Sequence, residues 1–165
     1  MESLIIGNLC SLAAMITDAI SASRKTSKGV LFVQTISQVF YVFGSIVLKG
    51  YSAAVQNAVS IFRNVAAIKG SESKLIQWIL VIAGVVLGIA FNNRCAIGLL
   101  PVIGNLEYSI AVFKFKDNER ALKIAFLIVV ALYTAFNAVI FNFVGAVSNI
   151  VVVISTLIFL IKERK

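Results

Sequence analysis

The stretch from Gly50 to Gly70, GYSAAVQNAVSIFRNVAAIKG, combines an apolar helical pattern with side chains that could bind a solute. Its polar members are Gln56, Asn57, Ser60, Arg63 and Asn64. Amides, hydroxyls and a guanidinium can hydrogen-bond a ligand, but within a hydrophobic span they are costly unless they face a cavity or a partner. The sequence therefore predicts either a solute site or a set of hydrogen bonds that hold helices together.

Two earlier segments carry polar residues on one helical face. They are Asn8, Ser11 and Asp18 in the first segment, and Gln34, Gln38, Tyr41 and Ser45 in the second. Residues three or four apart lie on the same side of a helix. Because each polar side chain needs a partner away from lipid, we expect the three polar stripes to converge.

Three charged residues are candidates for gating or ion coupling. Arg63 is expected to reach lipid headgroups, to pair with Asp18 or Glu107, or to hold an anionic substrate. Glu107 lies deeper in its segment, where it could exchange protons or simply be satisfied by Arg63 or a tyrosine hydroxyl. Asp18 lies near the end of its segment, so interfacial exposure and a functional role both stay open.

Composition excludes several protein classes. The chain is 60% hydrophobic and 13% charged, with a mean hydropathy of +0.99, which indicates one integral membrane domain in contact with the lipid bilayer. It has no histidine, and its two cysteines, Cys10 and Cys95, indicate neither a disulfide framework nor a metal site. With no Ser/His pair and no Gly-rich phosphate loop, we expect no enzyme activity, no cofactor and no metal.

Seven apolar segments of about 17–20 residues are long enough to cross a bilayer as helices. Their approximate bounds are Leu4–Ile20, Val30–Leu48, Tyr51–Ala67, Leu75–Phe91, Ala96–Phe113, Leu122–Ile140 and Phe143–Ile161. They are continuously apolar, without the alternation of barrel strands. The sequence thus predicts an all-α membrane protein with antiparallel neighbouring helices.

The distribution of basic residues predicts the orientation. Of the 15 basic residues, only Lys49 and Arg94 lie outside the loops that follow segments one, three and five and the C-terminal tail. The positive-inside rule places those loops and the C-terminus in the cytoplasm and the N-terminus outside. Because the formal charge of +8 lies in short clusters between apolar runs, we expect no nucleic-acid partner.

A shift of 92 residues aligns the chain with itself. Over Tyr41–Asn64 the shift gives six identities, which include Tyr41 with Tyr133 and Asn57 with Asn149. It superposes segments one to three on five to seven and leaves the fourth unpaired. The sequence thus predicts two parallel three-helix repeats, residues 1–70 and 95–165, joined by a connector helix in residues 71–94. The second repeat has fewer polar side chains, because Gln34, Gln38 and Ser60 of the first repeat correspond to Phe126, Val130 and Val152.

The fourth segment carries Gly84 and Gly88, four residues apart. Small residues at this spacing let helix backbones approach closely. Two interpretations stay open: packing of this segment against the two repeats of its own chain, or the face of a homodimer.

The chain resembles the bacterial YgjV-type inner-membrane proteins in SASRKTSKG, GYSAAVQNAVSIFRN and GIAFNNRCAIGLLPVIGN. Its three-plus-one-plus-three plan also resembles the SWEET/PQ-loop/MtN3 transporters. That second resemblance implies a pocket between the two three-helix repeats, here also called triplets. It places an asparagine pair at Asn57 and Asn149 and nearby aromatics at Tyr41 and Tyr133. The PQ dipeptide is missing, because Pro101 is followed by Val102.

We therefore predict a small-solute transporter or facilitator of the bacterial inner membrane, with a site midway across the bilayer. The expected substrate-binding residues are Asn57, Asn149, Tyr41, Tyr133, Gln38 and Ser60. The expected gating or coupling residues are Arg63, Glu107, Asp18 and Pro101. The alternative is a structural or accessory membrane protein that binds a partner protein through its polar helix faces.

Overall fold

The computed structural model describes residues 2–70, 73–115 and 117–162, and this part of the chain forms seven α-helices and one short 3-10 helix. The helices are α1 (Glu2–Ala22), α2 (Ser27–Val47), α3 (Tyr51–Ile68), α4 (Lys74–Ala90), α5 (Leu99–Lys114), α6 (Glu119–Val139) and α7 (Phe143–Lys162). The 3-10 helix, Cys95–Gly98, leads directly into α5. The predicted seven-helix order is confirmed, with each boundary within a few residues of the apolar segment.

Polar residues fix where the central helices begin. The Thr26 hydroxyl accepts a hydrogen bond from Gly29 N at 3.1 Å, and the Asn118 side chain accepts one from Ala121 N at 3.0 Å. Each of these side chains satisfies a backbone N–H that the first turn of a helix leaves without a partner. A side-chain N-cap of the same kind therefore begins both α2 and α6.

The geometry of α2 recurs in α6 at the offset of 92 residues. Both helices have 21 residues, and their first and last residues each differ by 92 positions. The turns that follow also correspond, since Lys49 and Phe141 adopt left-handed backbones with φ of 57° and 61°. A left-handed conformation is uncommon for residues other than glycine, so its recurrence at this offset is specific.

Six helices form a closed ring in which each one packs against the next. Their order around the ring is α1, α2, α3, α5, α6 and α7, and α7 packs back against α1. The fourth helix lies outside, against α3 and α5. Since α2 and α6 also touch, these two helices face each other across the middle of the ring.

The face of α4 that contains its glycines packs within the chain. Gly84 and Gly88 are buried, and a Cβ at Gly84 would meet Gln56 and Asn105 at 3.4–3.5 Å. The interpretation of these glycines as an intrachain packing face is confirmed. Residues of α3 and α5 cover both glycines within the chain, and a homodimer through this helix stays a prediction.

Among the described residues, five helical stretches are long and apolar enough to cross a membrane: α1, α2, α6, α7 and Cys95–Lys114. The helix Lys74–Ala90 is apolar but shorter. Although α3 has 18 residues, its polar side chains keep it out of this set. Length and composition thus support five of the seven predicted spans directly.

The distribution of side chains is the reverse of that in a soluble protein. Large apolar residues such as Ile5, Phe43 and Trp78 are exposed on the outer surface, whereas the interior holds Gln34, Arg63 and many Ser and Asn side chains. This arrangement suits a lipid environment, in which polar groups must find partners inside the bundle. Of the basic residues used to predict orientation, Lys116, Arg164 and Lys165 lie outside the described residues.

The apolar core lies toward the ends of the helices that are predicted to face the cytoplasm. It joins the start of α2 and α6 to the end of α3 and α5, with Val152 from α7. Its largest members are Leu31, Tyr108, Leu122 and Phe126. The Tyr108 and Phe126 rings pack with centroids 5.6 Å apart. This core closes one end of the ring.

Candidate functional site

A small cavity of about 40 Å³ lies inside the ring, between α1–α3 and α6–α7. Its lining residues are Asp18, Gln38, Tyr41, Asn57, Phe126, Val129, Val130, Tyr133 and Asn149. Five of the six predicted substrate-binding residues are therefore brought together. A water molecule needs about 10–15 Å³ measured in this way, so the cavity has room for about three water-sized groups.

The two predicted asparagines face the same cavity from opposite halves of the ring. Asn57 is 3% exposed and Asn149 is 4% exposed, so both amides have been removed from lipid and bulk water. The Tyr41 hydroxyl donates to Asn149 Oδ1 at 3.4 Å and so bridges α2 and α7. This contact joins one predicted tyrosine to the asparagine of the other half.

Asp18 is a cavity residue and not an interfacial one. Its side chain is 2% exposed, and the Ser37 hydroxyl donates a hydrogen bond to Asp18 Oδ1. The Tyr41 hydroxyl also interacts with this carboxylate. Asp18 is therefore fixed by two hydroxyl groups from α2, and of its two expected environments the structure gives the buried one.

Gln38 presents a buried oxygen that has no hydrogen-bond partner in the part of the chain that the structure describes. The side chain is 8% exposed, and its Oε1 atom is buried without a donor. A buried unsatisfied acceptor costs about 1–3 kcal/mol. Since Gln38 lines the cavity, this oxygen is available to a ligand that carries a donor.

Ser60 belongs to a different polar cluster, which lies between α3, α4 and α5. Its hydroxyl donates to Asn105 Oδ1 at 2.7 Å, and Asn105 Nδ2 donates to Gln56 Oε1 at 2.6 Å. Gln56 Nε2 in turn donates to the backbone carbonyl of Gly84 at 2.7 Å. Ser60, predicted to share the site of Asn57, thus helps to join three helices.

Arg63 is the centre of this cluster and is 1% exposed. Its Nη1 donates to Asn105 Oδ1 at 2.6 Å and to Ser109 Oγ at 3.1 Å, and its Nε donates to Asn64 Oδ1 at 3.1 Å. The guanidinium carbon also lies 4.7 Å from the centroid of the Tyr108 ring, a cation–π distance. Burial at this level contradicts the expectation that Arg63 reaches lipid headgroups.

The other two predicted gating residues lie outside the cavity. Glu107 is partly buried on α5, and its Oε2 has no hydrogen-bond partner among the described residues. Pro101 is buried in the first turn of α5, where the missing N–H costs no helical hydrogen bond. The structure therefore does not bring Glu107 or Pro101 into contact with the predicted solute site.

Several site residues were absent from the sequence prediction. Ser37 orients Asp18, while Asn105 and Ser109 hold Arg63. Asn105 and Ser109 are four residues apart in an apolar segment, which is the same signal that identified the stripes of α1 and α2. Phe126 and Val129 gave no signal, because an apolar cavity wall has the composition of an ordinary helix core.

A larger groove of about 380 Å³ runs along the surface between α4 and α5. Its walls include Lys74, Trp78, Ile110 and Lys114, and none of the predicted site residues lines it. Among the described residues, no group of three or more His, Cys, Asp or Glu side chains is placed to hold a metal ion. The small interior cavity is the better candidate because its polar groups converge from five helices.

Comparison with known proteins gives one result. Residues 5–165 match the family model Imp-YgjV, which is described as a bacterial inner membrane protein. No curated protein and no solved structure matches the chain.

Proposed function

The chain belongs to the Imp-YgjV family of bacterial inner membrane proteins, and we propose that it is a small-solute transporter or facilitator whose site is the cavity between α1–α3 and α6–α7. The role is binding and passage of a solute, without enzyme chemistry. In this proposal the N-terminus lies outside and the C-terminus lies in the cytoplasm, as the basic loops indicate.

The main support for the proposal is that residues lining the cavity occupy equivalent positions in the two repeats. Six of the residues that line the cavity form three pairs at the offset of 92 residues: Gln38 with Val130, Tyr41 with Tyr133, and Asn57 with Asn149. A site built from equivalent positions of two repeats is the arrangement that many secondary transporters place near the bilayer midplane. Hydrogen bonds that only hold a bundle together have no reason to follow this pairing.

Movement of two repeats against each other would open the site to each side in turn. The equal lengths of α2 and α6, their matched N-caps and the matched left-handed turns at Lys49 and Phe141 support two parallel repeats, with α4 as the connector. This arrangement is similar to the plan of the SWEET and PQ-loop transporters. Rigid triplets can rock without a proline hinge inside a helix.

The two halves of the cavity differ in chemistry. The first half supplies Asp18 and Gln38, whereas the second supplies Phe126, Val129 and Val130. One half can therefore bind a polar part of a solute and the other an apolar part. Because the cavity, at about 40 Å³, holds only a few atoms, a larger solute requires the triplets to move apart.

The test begins with a thermal-shift screen of metabolites on the purified protein in detergent. A ligand that binds the folded state raises the Tm by an amount that depends on its concentration relative to Kd. Asn57→Ala and Asn149→Ala should abolish the shift caused by a hit and its uptake into proteoliposomes, while expression in the membrane remains normal. Asn8→Ala is the matched control, because Asn8 hydrogen-bonds within α1 to Leu4 O and does not line the cavity.

Full uptake by both cavity variants would refute a shared site. If the purified chain moves no solute under any condition, the alternative of an accessory membrane protein that binds a partner takes the place of transport.

A further inference from the structure

We propose that the cavity binds a small protonated amine, with the ammonium group at Asp18 and Gln38 and the apolar part against Phe126, Val129 and Val130. This inference rests on the proposed function, since it names the solute class of the same site. It is drawn from the charges, the free acceptor and the size of the cavity.

The charge of the lining residues favours a cation. Asp18 is the acidic lining residue, and no Lys or Arg is among the residues described around this cavity. Arg63 is a buried basic group that acts electrostatically on Tyr133, but it donates hydrogen bonds to Asn64, Asn105 and Ser109 in the neighbouring polar cluster. A buried carboxylate that is held only by hydroxyls is stabilised by a cationic partner.

The hydrogen-bonding capacity of the site favours a cation with N–H donors. An ammonium group has three donors and no acceptor. The Asp18 carboxylate accepts from Ser37 and retains further acceptor capacity, while Gln38 Oε1 is buried without a partner. A primary ammonium can satisfy both groups at once, whereas a quaternary ammonium offers neither group a hydrogen bond.

The size and the opposite wall limit the amine. About 40 Å³ accommodates about two or three non-hydrogen atoms. The wall formed by Phe126, Val129 and Val130 offers no polar side chain. Methylammonium, which has one ammonium group and one methyl group, is therefore a suitable probe for a cavity of this size.

The experiment measures the Tm of the purified protein against the concentration of methylammonium chloride at constant ionic strength. Sodium chloride and tetramethylammonium chloride replace it in the control titrations, since neither cation has an N–H donor. Methylammonium should raise the Tm by about 3 °C at ten times its Kd and further with the logarithm of its concentration, and tetramethylammonium should have no such effect. Equal Tm values in all salts would overturn the inference.

Variants assign the response to the cavity. Asp18→Asn should abolish the methylammonium shift, and Gln38→Leu should weaken it while keeping the carboxylate. Glu107→Gln removes a carboxylate outside the cavity and should retain the full shift. If Asp18→Asn does not fold, Gln38→Leu and the comparison of salts on the unmodified protein still decide the question. Loss of the shift in Glu107→Gln but not in Gln38→Leu would refute the assignment.

The two proposals fail in different ways. Saturable binding of methylammonium without uptake of radiolabelled methylammonium into proteoliposomes refutes transport but keeps the amine site. Uptake of a neutral solute that Asn57→Ala abolishes, without any response to amines, keeps the transporter but refutes the amine. Stabilisation by sodium equal to that by methylammonium would show a general cation site and would overturn the requirement for N–H donors.

Discussion

Asn57 and Ser60 are one helical turn apart on α3, yet they face different surroundings. Asn57 lines the interior cavity, whereas Ser60 hydrogen-bonds Asn105 on α5. The same division separates Asn57 from Gln56 and Arg63. One side of α3 therefore faces the cavity and the other forms interhelical hydrogen bonds, while a solute site on the cavity side stays a prediction.

Arg63 provides a test of the interhelical hydrogen bonds. Arg63→Leu should lower the free energy of unfolding by about 2 kcal/mol, because Asn105, Ser109 and Asn64 lose their donor while they remain buried. Reversible unfolding in mixed micelles measures this loss. The same substitution at exposed Arg24 is the matched control and should leave the stability nearly unchanged. Equal stabilities for the two variants would show that the cluster contributes nothing measurable.

At the scale of whole helices, α4 is attached to the ring through its glycines. Gln56 Nε2 hydrogen-bonds the carbonyl of Gly84 from α3, and the Gln56 side chain lies against the α position of Gly88. A helix without side chains at these two positions can approach α3 closely enough for this bond. Gln56 on α3 and the glycine pair on α4 therefore form one contact between the two helices.

Gly88 should be far less tolerant of substitution than Gly84. A Cβ at Gly88 would come within 2.8 Å of Val102 Cγ2 and would displace the Gln56 amide from its bond to Gly84, so Gly88→Val should lower the Tm by several degrees. Gly84→Ala is the control, because its Cβ would meet neighbours at 3.4–3.5 Å, which is ordinary contact. Thermal unfolding of both variants in detergent measures the difference. A Gly84→Ala variant as unstable as Gly88→Val would contradict this account.

At the scale of the molecule, the cavity lies between a set of apolar contacts and a set of hydrogen bonds. The apolar core around Leu31, Leu122 and Phe126 closes one end. Toward the other end, Asn142 Nδ2 donates to Ser11 Oγ and to Asn137 Oδ1, both at 3.3 Å. These contacts join α1, α6 and α7. Separation of the triplets at this end would therefore break hydrogen bonds, whereas separation at the other end would break apolar contacts.

The orientation of the whole molecule can be tested with its own cysteine. Cys95 is exposed in the connection before α5, which the positive-inside rule places outside. A membrane-impermeant maleimide should therefore label the unmodified protein in intact spheroplasts, and Cys95→Ser should remove the label. In that Cys95→Ser background, Ser23→Cys should react only after permeabilisation. Labelling of Ser23→Cys in intact spheroplasts together with an unreactive Cys95 would reverse the predicted topology.

The sequence by itself determined the membrane class, the seven helices and the offset of 92 residues. These follow from local properties: continuous apolar runs of sufficient length, and pairs at a fixed offset such as Asn57 and Asn149. Local patterns also identified five of the nine residues that line the cavity as substrate-binding, and Asp18 as a charged candidate.

Only the tertiary structure decided which polar side chains share a site. Helical periodicity predicts the helix face on which a residue lies, but not which neighbouring helix that face contacts. It therefore could not predict that Asn57 lines the cavity while Ser60 hydrogen-bonds Asn105. It could not place Asp18 in the interior or Glu107 outside the cavity, because depth along a helix does not specify rotation toward the ring. Phe126, Val129 and Val130 line the same cavity as Asp18 and Gln38 only because the ring of helices brings them together.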